Sequence, residues 1–146
     1  MTRYCQQRDN HSCGPIALLN IDKFFGHRVT YKHLPHYSRW LRCRRPKGND
    51  LGGTYTTAIS QILGRASRRA WSKTKHFLRD GCIVVQTSRS GGHFYLMVTN
   101  GNGDIGVVNY RQYKYAAIQI TPQKGAAMLK KAYRTWYVSK PTRRTR

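Results

Sequence analysis

An α+β fold, with N-terminal helices packed on a C-terminal antiparallel β-sheet, is what this sequence predicts, and two patterns predict it. Apolar residues in the first part of the chain recur at helical spacing. From Cys82 onward they gather instead into short runs separated by Gly- and Ser-rich turns. Helices first and a strand meander second puts the helices against one side of the sheet. A chain of 146 residues matches one domain and can bury one core. Residues 1–139 are therefore expected to form a single domain, with 140–146 a basic tail.

The elements follow in order. Ala17, Leu18, Ile21, Phe24 and Phe25 share one helical face running from about Cys13 to Gly26, with Ser12 as candidate N-cap and Pro15 suited to the first turn. An Arg-, Pro- and Gly-rich loop from Trp40 to Gly53 leads to Thr54, a second candidate cap. Ile59, Ile62 and Leu63 lie behind it, and Gly64 is the stop signal. A short third helix is predicted over Lys73 to Arg79. CIVVQT (82–87), HFYLMVT (93–99), DIGVVNY (104–110) and AAIQIT (116–121) read as strands, Pro122 to Lys131 as a further helix, and RTWYVSK (134–140) as a last strand before a frayed PTRRTR.

Charge is the outlying property of the composition. Twenty-seven Lys and Arg against five acidic residues leave +22, beyond what solubility requires, while ten Tyr, four Phe and three Trp separate the chain from a disordered basic tail. The positive residues cluster at Arg39, Arg42, Arg44, Arg45 and Lys47, at Arg65, Arg68 and Arg69, at Lys73 to His76, at Lys130 to Arg134, and at Lys140 to Arg146 with Arg143, Arg144 and Arg146. Clusters with so little acid between them cannot pair internally, so phosphate contact is expected. Trp40, Trp71 and Tyr133 are interleaved with them and are candidates for base stacking or for core packing. No nucleic-acid-reading signature accompanies them, so binding to nucleic acid or another polyanion is expected to ignore sequence. No apolar run of signal-peptide or membrane-span length occurs, which points to a cytoplasmic protein.

The four cysteines, Cys5, Cys13, Cys43 and Cys82, are expected to be thiols. Cys13 is the one placed for chemistry. It sits at a predicted helix start, where the partial positive charge favours a thiolate. A nucleophilic thiol also needs a base, and His93 is the best candidate, following Gly91-Gly92 and opening an apolar strand. If 93–99 and 104–110 form a hairpin through the NGNG turn, Asn109 becomes a cross-strand neighbour able to orient the imidazole. Gln7, six residues before Cys13, offers a side-chain N–H that with the backbone N–H of Cys13 would hold an oxyanion. Two other uses of Cys13 compete. It also reads as a small buried hydrophobe, or as a metal ligand with Cys5 and His11, although Cys-x5-His-x-Cys fits no common zinc pattern. No metal and no cofactor are expected.

The stretch Q-x5-C-G-P followed by an apolar helix ending FFG, then GGTYTTAISQILG, CIVVQT, GGHFYLMV and DIGVVNY, resembles papain-like cysteine peptidases of the C39, bacteriocin-leader-processing type over most of residues 5–112. The resemblance implies a papain-like fold, Cys13 as nucleophile, His93 as general base and acid, Asn109 as orienting residue and Gln7 for the oxyanion. The family usually carries Asp, often followed by Pro, where this chain reads Asn109-Tyr110; Asn is the third member in papain itself. C39 domains are commonly fused to transporters, so cleavage after a double-glycine leader is not carried over. The expected function is thus thiol-dependent cleavage of a peptide or protein substrate by a small basic enzyme. Its size and charge suggest a viral or phage product in host cytoplasm or virion. An inactive papain-like fold that binds nucleic acid in a virion, and a papain-like acyltransferase or deamidase, are the alternatives.

Overall fold

A computed structural model of the chain describes residues 3–45, 47, 48, 52–66, 81–89, 92–99, 104–110 and 117–142. The predicted helix at Lys73 to Arg79 lies outside the described residues. So do Trp71, Gly91, the NGNG segment, the cluster from Lys73 to His76, and Arg68, Arg69, Arg143, Arg144 and Arg146.

Helix α1 spans Cys13–Phe24, a short 3-10 turn Tyr31–His33, α2 Leu34–Trp40 and α3 Thr56–Leu63. Strands β1 Cys82–Gln86, β2 Phe94–Thr99, β3 Ile105–Val108 and β4 Ala117–Ile120 follow, then helix α4, Pro122–Lys131, and β5, Arg134–Val138. The five strands form one sheet in the order β4-β3-β2-β1-β5, every pair antiparallel. The α+β arrangement of N-terminal helices and a C-terminal antiparallel sheet therefore holds.

Strands β4 and β5 run in the same direction on opposite edges, so their connection must cross a face of the sheet. Helix α4 makes that crossing. Thr121 caps it through its hydroxyl, which accepts from Lys124 N at 3.2 Å, and Leu129 buries against Ile105 and Ile120. On the other face, Cys82, Val84, Phe94, Leu96, Val98 and Trp136 pack against α1, Tyr37 of α2 and Ile59 of α3. The expectation that helices cover one side is corrected: the sheet is covered on both. That is why every residue of β1 is buried and why its sequence shows an unbroken apolar run rather than alternation.

Helices α1 and α2 end in the same way. The N–H of His27 reaches the Asp22 carbonyl and that of Gly26 the Lys23 carbonyl, while Cys43 N reaches Ser38 O and Arg42 N reaches Arg39 O. Both are Schellman closures, which need a residue with positive φ just past the helix. At α1 it is Gly26, φ 89°; at α2 it is Arg42, φ 52°. A side chain there costs about 1–2 kcal/mol that glycine avoids.

The C-terminal stretch is more firmly held than its composition suggests. Asp22, fully buried on α1, accepts from the Tyr37 hydroxyl and from both the backbone N (2.7 Å) and hydroxyl (3.0 Å) of Thr142. A chain read from sequence as frayed beyond Lys140 is therefore hydrogen-bonded to the first helix at Thr142.

Candidate active site

Cys13 is the first residue of α1 and 8% exposed. Ser12 occupies the N-cap position, but its side chain makes no capping bond. Asp9 shapes the turn instead: its Oδ1 accepts from the backbone N–H of His11 (2.9 Å) and Ser12 (2.8 Å). Burial works to raise the Asp9 carboxyl, yet those backbone bonds, the Ser12 hydroxyl and the nearby His11 together hold it below its ordinary value. Gly14 follows because nothing larger fits. A Cβ there would lie 2.2 Å from Thr54 Oγ1, so the segment leading into α3 packs directly on the start of α1. Thr54 Oγ1 in turn lies 3.2 Å from Cys43 Sγ.

His93 is fixed by the β1–β2 turn. Its backbone N donates to Thr87 Oγ1 at 2.8 Å and its carbonyl accepts from Thr87 N at 2.9 Å. Gly92 allows the chain to pass within a methyl radius of Ser88: a Cβ would sit 2.3 Å from the Ser88 carbonyl oxygen. The imidazole reaches the expected neighbour, although by a different atom. His93 Nε2 donates to the backbone carbonyl of Asn109, not to its side chain. A carbonyl only accepts, so Nε2 carries the hydrogen, and in the neutral ring Nδ1 holds a lone pair. That Nδ1 is buried and has no hydrogen-bond partner, the Cys13 thiol included.

The register explains the change of atom. Leu96 pairs with Val108, so Asn109 lies past the end of the ladder, diagonal to His93 rather than opposite it. Asn109 also turns out of the strand with φ 61°, a left-handed conformation that Asn tolerates better than most residues. Its carbonyl then faces the imidazole, and its side chain faces the N-terminal segment. There Oδ1 accepts from Gln7 N at 3.1 Å and Nδ2 donates to Gln7 Oε1 at 3.2 Å. Gln7 is 1% exposed, and its Nε2 is left buried without a partner.

Two residues without an obvious role in the sequence hold Gln7 in place. Asn20 of α1 accepts from Cys5 N (2.8 Å) and donates to Cys5 O (2.9 Å), and the Tyr31 hydroxyl accepts from Gln6 N at 2.6 Å. The signal for Asn20 was present as a lone amide within a run of apolar helix positions, where it must find a backbone partner to be buried.

Electrostatics correct one expectation. The helix start does not lower the Cys13 pKa. Burial pushes the thiol above its ordinary value near 9, outweighing the N–H groups of Phe94, Gly14 and Cys13 itself, which favour the thiolate. Burial also raises Cys5, Cys43 and Cys82. It lowers His93 from 6.5, opposed by the bond to Asn109. The resting pair is a neutral thiol and a neutral imidazole, and the Cys13 sulfur lies against the backbone N–H of the residue that follows His93.

The chain matches no protein-family model, no curated protein and no solved structure.

Beside this centre, Asp9, Ser12, Pro15, Leu34, Pro35, Arg39, Arg42, Cys43, Arg44 and Arg45 line a groove of about 460 Å³. Arg39, Arg42, Arg45, Lys47 and Arg65 are exposed, whereas Arg44 is half-buried with its guanidinium 4.7 Å from the Tyr55 ring. Among the described residues no helix is long and apolar enough to cross a membrane, and no group of three or more His, Cys, Asp or Glu could hold a metal ion.

Proposed function

We propose that the chain is a papain-like cysteine peptidase acting by acyl transfer through Cys13, His93, Asn109 and Gln7. One observation supports it above the others. Two of the buried polar atoms without partners, a lone pair on His93 Nδ1 and a donor on Gln7 Nε2, belong to a network joined through Asn109 that adjoins the Cys13 helix start. Leaving a buried polar group unsatisfied costs about 1–3 kcal/mol, so a fold keeps such groups where something else will occupy them.

In this reading the substrate carbonyl enters between them. His93 Nδ1 takes the thiol proton as Cys13 Sγ attacks the carbonyl carbon, and Gln7 Nε2 donates to the oxygen that becomes negative. The imidazolium returns the proton to the leaving amine as the C–N bond breaks. Water, deprotonated by the same nitrogen, then releases the acyl group and restores the thiol. The Asn109 carbonyl holds Nε2–H throughout and so keeps Nδ1 as the base. Asn109 is in this scheme a positioning residue for both His93 and Gln7. The positive surface is read as a sequence-neutral contact for nucleic acid or another polyanion, in keeping with a virion protein.

Product mass decides the reading. The purified chain and its Cys13→Ala variant are incubated with a peptide mixture and the products weighed. Cysteine-dependent hydrolysis products support the peptidase. Conversion of glutamine side chains to acids, or their coupling to amines, points to the deamidase or acyltransferase alternative. No Cys13-dependent product, with polyanion binding intact, leaves an inactive binding fold.

A further inference from the structure

The groove beside Cys13 combines apolar and arginine side chains. Its lining brings the apolar Pro15, Leu34 and Pro35 together with Arg39, Arg42, Arg44 and Arg45. Among the described residues Asp9 is the one acid in its lining, and that carboxylate is already committed to two backbone N–H groups and to His11 Nε2 at 3.7 Å. It borders Ser12, the residue before the nucleophile, and at about 460 Å³ it has the volume of a site for a few side chains.

The lining also includes the strained arginine. The Schellman closure of α1 uses Gly26, whereas the same closure of α2 carries Arg42 at φ 52°. Folding alone would favour glycine at both positions. A strained, exposed arginine in the lining of a groove next to the Cys13 helix start is accounted for if its side chain serves binding rather than folding. Arginine forks match carboxylates bidentately, and apolar lining residues suit aliphatic side chains rather than a sugar-phosphate backbone.

We infer that this groove is the substrate-binding cleft of the Cys13 centre and selects polypeptide segments in which carboxylates alternate with apolar residues. The inference rests on the peptidase reading and names its substrate class. It also separates Arg39, Arg42, Arg44 and Arg45 from the clusters that meet phosphate.

Binding is measured on the full chain carrying Cys13→Ala, so that turnover plays no part. The probes are a fluorescein-labelled decapeptide of alternating Asp and Leu, the same peptide with Asn for Asp, and a ten-residue oligo-dT. The Asp peptide should bind about tenfold tighter than the Asn peptide at low salt, the scale of several exposed charge pairs acting together. Arg42→Gly should reduce that preference several-fold while the melting temperature holds or rises, because the glycine relieves strain. Oligo-dT affinity should change by less than about twofold, since it engages charge elsewhere. An Asp/Asn ratio near one, a ratio unmoved by Arg42→Gly, or a loss of oligo-dT binding equal to the peptide's would each overturn the assignment. Turnover by the wild-type chain decides the peptidase reading separately, so failure of either is visible without the other.

Discussion

At the scale of single residues, burial sets the protonation states that any chemistry here must start from. The folded-state pKa of His93 is depressed, so the native protein favours the neutral ring. Stability linked to it is complete above the unfolded value near 6.5 and is lost as pH falls toward the folded value. Turnover should follow the same limb, declining only below about pH 6.5, because the base is available at all higher pH. Cys13 is shifted the other way, so iodoacetamide labelling of the free protein should climb with pH through 9 rather than plateau in acid. A plateau below neutrality, read by peptide mass, would mean that a thiolate–imidazolium pair forms after all. The Gln7–Asn109 pair gives a second test. Gln7→Ala should lower kcat about 10²-fold, the scale of one oxyanion donor. Asn109→Gly preserves the left-handed backbone and the carbonyl on His93 while removing the side-chain partner of Gln7. Its effect should therefore resemble that of Gln7→Ala, and the double variant should be little slower than either single one. Full additivity in kcat would show that the two side chains act independently.

At the scale of elements, the site depends on two close approaches. Gly14→Ala would drive a methyl group to 2.2 Å from Thr54 Oγ1, so either α1 or the segment before α3 must move. Such overpacking typically costs about 1–3 kcal/mol. Thermal unfolding should show that destabilisation, and Thr54→Gly in the same chain should recover part of it by removing the side chain that is met. If Gly14→Ala melts like the wild type, the helix start is looser than its packing implies. Elements of this kind differ in how far the sequence revealed them. The strands were legible, to within a residue or two, because apolar runs bounded by Gly, Ser and Asp leave few other readings. Helix α2 was not, since LPHYSRW spans barely two turns, carries only three apolar positions besides Pro35 (Leu34, Tyr37 and Trp40) and buries only Tyr37 among them. The second covered face was not legible either: α4 reads as a helix, but only the parallel direction of β4 and β5 obliges it to cross the sheet. Within the candidate site, Cys13, His93, Asn109 and Gln7 could be singled out by type and spacing. The atoms through which Asn109 acts could not, because they depend on a φ of 61° and on a partner 102 positions away. The pKa direction at Cys13 failed for a related reason, burial being a property of the whole packing around the helix start.

At the scale of the molecule, a net charge of +22 must coexist with a folded core, and the C-terminal segment is where the two meet. Composition alone suggests that everything after Lys140 supplies charge and nothing else, so that removing it would change salt response without touching stability. The bonds from Thr142 to buried Asp22 argue otherwise. Cutting after Lys140 removes two donors from a side chain that is fully buried, while the Tyr37 hydroxyl bond is kept. Cutting after Thr142 removes only Arg143 to Arg146 and keeps both donors. The two truncations should therefore separate charge from packing. Both should lower the slope of log affinity against log salt for duplex DNA, by roughly 0.9 for each phosphate that the shortened chain no longer neutralises, since binding releases counterions in that proportion. Only the shorter chain should also melt earlier, by the about 1–3 kcal/mol typical of leaving a buried polar group short of partners. Salt titrations of DNA affinity and thermal unfolding on the three chains, full length, 1–142 and 1–140, check both quantities. Equal melting of 1–142 and 1–140 would mean that the Asp22–Thr142 bonds carry no net stability. A salt slope unchanged by both cuts would mean that the terminal arginines do not meet phosphate, and the polyanion would then have to bind the clusters between Arg65 and Arg134.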